Sequence, residues 1–205
     1  MGELADSSAM DVLDGETRER ERWTGEDFGG RDLRSTTFAG CSFDGCRFDD
    51  ADLRGAHFAD CRWARVEVAG LAAPRSGWRR VEIASSRIGS AELYESEWHS
   101  VEIRDSKLGF LNLRGARIRD LVVRDCTIDE LDLGGAQVER LALPGCRVGT
   151  LELARARLRD ADVRGADLGA VTSLDGAAGL VVSSTQLGYL APQLARHLRI
   201  AVTDD

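Results

Sequence analysis

From Phe28 to Leu168 every fifth residue is apolar, and the frame never slips. The stretch ADLRGAHFADCRW, residues 51–63, shows the unit: Leu53, Phe58 and Trp63 are the centres, and Ala51, Ala56 and Cys61 stand two places before them. An α-helix repeats its apolar positions near every 3.6 residues and a half-buried strand every second residue, so neither accounts for this spacing. A strict period of five demands a backbone that turns after each short step. Such units bury their centres only by stacking on one another, which makes this a repeat architecture before it is anything else. The weakest centre is Ala73, in AGLAAPRSG beside Pro74, where a local bulge is expected.

The position two before each centre holds small or medium residues from residue 36 onward, marking a second inward site with limited room. Between Val81 and Ala156 it mostly alternates large and small, so opposite sides of a coil can fill a narrow interior without overpacking. All five cysteines, Cys41, Cys46, Cys61, Cys126 and Cys146, occupy this inward site. They form no CxxC pair and are odd in number, so buried free thiols are expected rather than a disulfide framework or a metal site. Trp63, Trp78 and Trp98 stand at centres, where an indole strains a narrow interior; either the coil widens or one ring turns outward.

The segments ADLRG, ADVRG and ADLGA follow the pattern A(D/N)LXX, and on it the chain resembles the pentapeptide-repeat family across residues 28–170. The resemblance implies an all-β solenoid, a right-handed quadrilateral β-helix in which each pentapeptide is one side of a square. Twenty-nine centres on four sides give about seven coils and, at ~4.8 Å per rung, a shaft roughly 35 Å long.

Three segments are expected: a flexible acidic N-terminal tail over 1–22, the β-helix over 23–170, and a capping or dimerisation segment over 171–205. In the last, Leu187, Leu190, Leu194 and Leu198 recur at helical intervals with Pro192 among them, which predicts two short helices. Related bacterial proteins often dimerise through a C-terminal helical module, so the resemblance implies a homodimer through these leucines. No apolar run is long enough to span a membrane and the N-terminus lacks a signal-peptide pattern, which predicts a cytoplasmic protein with no membrane partner.

The chain offers little for catalysis. His57, His99 and His197 are far apart, most of the glycines fall at repeat turns, and acids such as Asp52, Asp162 and Asp167 fill the outward second place of the motif. No catalytic residue, metal or cofactor is assigned, and the expected function is binding. The net charge of −8 disfavours direct binding of nucleic acid.

The family's quinolone-resistance members mimic DNA and occupy the DNA-binding surface of gyrase. The resemblance therefore implies a protein partner, DNA gyrase, and a role in antibiotic resistance, with a scaffold for some other protein as the alternative. Most of the net charge lies outside the shaft: residues 1–27 carry −6 and residues 28–170 only −1. Mimicry is thus confined to one side, that of Phe48, Val68, Ile88, Leu108, Ile128 and Val148, with Asp49, Asp50, Glu67, Asp129 and Glu130 as candidate partner-binding residues. The side of Trp78, Ile118 and Leu158 leans basic, with Arg79, Arg80, Arg117, Arg119, Arg157 and Arg159.

Overall fold

The structure is a computed structural model that describes residues 4–203. It is a parallel β-solenoid in which, within residues 17–172, paired residues stand twenty positions apart, as in Phe38 with Phe58, Phe58 with Trp78, and Trp78 with Trp98. Four pentapeptides therefore complete one coil.

The period has a backbone cause. Residues at multiples of five take the left-handed conformation at nearly every corner, among them Gly40 (φ 64°), Asp60 (φ 56°), Arg80 (φ 53°) and Asp120 (φ 61°). A non-glycine residue there costs about 1–2 kcal/mol, offset by the rung-to-rung bonds each corner makes available, such as Asp60 N–H to the Arg79 carbonyl at 2.9 Å. One column of corners differs. Positions 70, 90, 110, 130, 150 and 170 do not take positive φ, and two sides run on there as six-residue strands such as Glu67–Ala72, Arg87–Glu92 and Thr127–Asp132.

Every centre from Phe28 to Leu153, and Val163, is buried, while Leu158 and Leu168 near the C-terminal end are half-buried. Ala73 is regular: it is fully buried and its N–H donates to the Glu92 carbonyl at 3.0 Å, so no bulge forms beside Pro74. No indole turns outward either. Trp23, Trp63, Trp78 and Trp98 all lie inside, and Phe58, Trp78 and Trp98 stack face to face at centroid distances of 4.5 and 5.3 Å.

The solenoid has about nine turns rather than seven. One ladder alone holds ten strands, which at ~4.8 Å per rung is about 43 Å of shaft. The extra coils come from both ends. Where a flexible tail is expected over 1–22, Ala5–Asp6 pairs with Glu21–Arg22, Thr17–Glu19 pairs with Thr37–Ala39, and Ala9 and Val12 are buried over the first rung. Arg18 holds the centre position beside Phe38, its guanidinium bonded to Glu21 at 2.8 Å and to the Asp11 carbonyl at 3.1 Å. A charged centre hides this coil from an apolar pattern. At the other end Leu180–Val181 pairs with Ala161 and Asp162.

The C-terminal segment forms one helix, α1 (Ser184–His197), instead of two. Ser183 and Gln186 cap it reciprocally, the Ser183 Oγ accepting from Gln186 N–H at 3.1 Å and the Gln186 Oε1 from Ser183 N–H at 2.8 Å. Pro192 lies within it, on the exposed surface with Gly188, whose carbonyl it leaves to water. The same Gln186 donates Nε2 to the carbonyls of Val163 and Ala166 at 2.7 and 2.8 Å, so the helix satisfies acceptors that the last rung leaves open.

The five cysteines are free and buried. Cys61 and Cys126 are held well above the ordinary thiol range by the cysteine stacked one rung away and then by burial, Cys41 and Cys146 are lowered in the same exchange, and burial raises Cys46. Access, not acidity, limits all five, so a thiol reagent at neutral pH is expected to label none of them in native protein and all of them in urea. Rapid labelling without denaturant would contradict the inward assignment.

Candidate partner-binding surfaces

The motif's outward second place does more than fill a surface. Its carboxylate or amide bends back to the backbone two residues on: Asp52 Oδ1 accepts from Arg54 N–H at 3.0 Å, Asn112 from Arg114 at 3.2 Å, Asp132 from Gly134 at 2.8 Å and Asp162 from Arg164 at 3.0 Å. A short side-chain acceptor is needed there to pair an N–H entering each turn. Stacking turns the requirement into a row: Asp32, Asp52, Ala72, Glu92, Asn112, Asp132 and Glu152 succeed one another along the side of Leu33, Leu53 and Leu133. Five of the seven are acids.

The proposed acidic residues lie on the neighbouring side and fall into two groups. Asp49, Asp50 and Glu67 occupy the early rungs, and Asp129 and Glu130 lie four rungs beyond Asp49 and Asp50, about 19 Å away at ~4.8 Å per rung. Arg87 and Lys107 stand between the groups. Asp49 is tied down, accepting from Ala69 N–H at 2.7 Å and from Arg47 at 3.2 Å, whereas Asp50, Glu67 and Asp129 are exposed and Glu130 is half-buried. Glu130 and Asp132 share the strand Thr127–Asp132 two residues apart, and Asp50 and Asp52 have the same spacing. The longest acidic feature is therefore an edge built from Asp50, Asp52, Glu92, Glu130, Asp132 and Glu152, interrupted at Ala72 and Asn112. The motif itself signalled it, because every second place is Asp, Asn or Glu where the pattern is strongest.

Part of this edge is neutralised. Arg114 pairs with Asp132 at 2.9 Å, and Arg34 holds the Asp32 carboxyl below the usual carboxylate range by a direct hydrogen bond. Arg54 pairs with no carboxylate among the described residues.

The four C-terminal leucines split by role. Leu190 is buried and Leu194 packs partly against the core, while Leu187 and Leu198 are exposed together with Tyr189, Ile200 and Val202. His57 and His99 are exposed on the side opposite the proposed acidic residues, and His197 ends α1. Among the described residues no group of His, Cys, Asp or Glu is arranged to hold a metal, and no helix is long and apolar enough to cross a membrane.

Stacked five-residue steps with charge-patterned sides define a parallel β-solenoid. Residues 27–67 match the family model described as pentapeptide repeats (9 copies), and the same five-residue frame continues in sequence and in coil register to Leu168. Among solved structures it is similar to a trypsin-treated variant of QnrB1, a plasmid-mediated fluoroquinolone resistance protein, at 20% identity over 97% of this chain and 95% of that one, with a TM-score of 0.45. It is also similar to HetL, involved in heterocyst differentiation regulation in the cyanobacterium Nostoc, at 18% identity over 78% of this chain and 86% of that one, with a TM-score of 0.49. No curated protein matches the sequence.

Proposed function

We propose that this protein is a non-catalytic binding protein whose acidic edge occupies the basic DNA-binding groove of DNA gyrase, modulating the enzyme or shielding it from inhibitors. The observation that carries the reading is the acidic row beside Asp50 and Glu130. From Asp52 to Glu152 is five rungs, about 24 Å, and along that length Asp50, Glu92, Glu130 and Glu152 have no arginine partner among the described residues, about one free charge per 6 Å beside the one charge per ~3.4 Å of a single DNA strand. No other side carries such a row of acids and the opposite side leans basic, so mimicry of one strand's outline fits the charge pattern better than mimicry of a whole duplex. A homodimer joined by the exposed Leu187 and Leu198, with Leu190 and Leu194 seating α1 on the shaft, would double the length presented.

The test is a supercoiling assay with gyrase from the same organism, with and without a fluoroquinolone. The variant Asp50→Lys, Glu92→Lys, Glu130→Lys spares Asp132, which the fold uses, and is expected to need about tenfold more protein for the same effect. Light scattering should report a dimer that Leu187→Glu with Leu198→Glu converts to monomer. Unchanged supercoiling and unchanged drug-induced cleavage with wild-type protein would remove gyrase and leave a scaffold for another partner as the reading.

A further inference from the structure

The side opposite the proposed acidic residues carries a second surface that the gyrase reading does not use. A shallow groove of about 860 Å³ runs along the solenoid from Thr37 to Arg159, over the column of Phe58, Trp78, Trp98, Ile118 and Val138. Its outward walls hold five arginines, Arg79, Arg117, Arg119, Arg157 and Arg159, against two glutamates, Glu97 and Glu139. The glutamates are already engaged. Glu97 pairs with Arg117 at 3.2 Å, and Glu139 is shared by Arg119, Arg140 and Arg159. Arg79 and Arg157 are exposed and pair with no carboxylate among the described residues. A protein of net charge −8 thus concentrates uncompensated positive charge in one groove.

We propose that this groove binds an extended acidic polypeptide segment of a partner protein, lying along the solenoid axis. Arg79 and Arg157 are four rungs apart, about 19 Å, which an extended chain spans in about six residues. A segment of about eight residues therefore reaches both unpaired arginines, and planar guanidiniums suit carboxylates because they can bind them through two parallel hydrogen bonds. Ala59 and Gly77 keep one end of the floor low; a Cβ at Gly77 would lie 2.4 Å from the His57 ring, so that imidazole lies over the glycine and borders the path. Nucleic acid fits less well. Its affinity comes from many neutralised phosphates, whereas only two arginines here are unpaired among the described residues.

The experiment is fluorescence anisotropy on the full chain with a fluorescein-labelled eight-residue peptide of alternating Glu and Ser. The comparison probes are the matching Lys and Ser peptide and a short single-stranded oligothymidylate. The acidic peptide is expected to bind and to weaken as salt is raised. Arg79→Glu with Arg157→Glu should reduce its affinity at least about tenfold, while Arg54→Glu, on the acidic edge, should leave it unchanged. Both substituted arginines are exposed and unpaired, so the thermal melt of the double variant should match wild type. Failure of the acidic peptide to bind, binding insensitive to the double variant, or tighter binding of oligothymidylate than of the acidic peptide would each overturn the proposal. None of these results depends on gyrase.

Discussion

Leu133→Arg is expected to destabilise the solenoid by about 3–5 kcal/mol, because it leaves an unpaired charge in a site without water. Leu133 is 1% exposed, with its N–H bonded to the Glu152 carbonyl and its side chain facing the stacked interior. Against the 5–15 kcal/mol that folded domains typically hold, this is a large fraction. Each coil touches only its neighbours, so the damage should also break cooperativity and let the flanking coils melt separately. The neighbouring residue is the informative control. On sequence Asp132 looks like an outward residue whose reversal disturbs only a surface ion pair, but it is 6% exposed, accepts from Gly134 N–H at 2.8 Å and pairs with Arg114. Asp132→Arg removes an acceptor that a turn requires and places a second cation beside Arg114, so a loss of about 2 kcal/mol is expected. Urea unfolding of both variants checks the order, and equal midpoints would contradict the inward and outward assignment.

The coil was legible because one physical requirement, a left-handed corner at three of every four five-residue steps, forces a frame that the sequence displays. What escaped is where the frame is kept without its usual residues. Arg18 occupies a centre because the end of a solenoid can solvate part of a guanidinium, so an apolar pattern begins one coil late. Gly89, Gly109, Gly149 and Gly169 read as turn residues, yet they lie within strands, and a Cβ at Gly109 would stand 2.0 Å from the Gly89 carbonyl. Close approach between rungs, not turning, favours them, although the same column also carries Ala69 and Asp129. The acidic edge was hidden for a related reason. Its carboxylates are the motif's own turn acceptors, and a residue explained by the fold is easily passed over as a surface feature, although stacking aligns it with Asp50 and Glu130. The basic groove was visible as a leaning of charge, but which arginines are unpaired depends on rotamers that no periodicity encodes.

Trp78→Ala is expected to cost about 3–5 kcal/mol, the range for emptying an aromatic site in a packed interior. Trp78 is 1% exposed and lies in the face-to-face column between Phe58 and Trp98, and its Nε1 donates to Ser76 Oγ at 2.7 Å, which in turn donates to the Ala73 carbonyl at 2.6 Å. The coil accommodates an indole by giving up volume elsewhere. Its four centres are Trp63, Val68, Ala73 and Trp78, so the two largest side chains share a coil with the smallest centre of the whole shaft. Ala73 is therefore a compensation and not a flaw in the repeat. Introducing Leu at that position alone should overpack the coil and cost about 1–3 kcal/mol. In the Trp78→Ala background the same Ala73→Leu change fills part of the space that the indole vacates, and it should recover stability rather than lose it. A double-mutant cycle by urea unfolding reads the coupling directly. Additive losses at the two sites would show that coil volume is not balanced in this way, and that the interior adapts to tryptophan by some other adjustment.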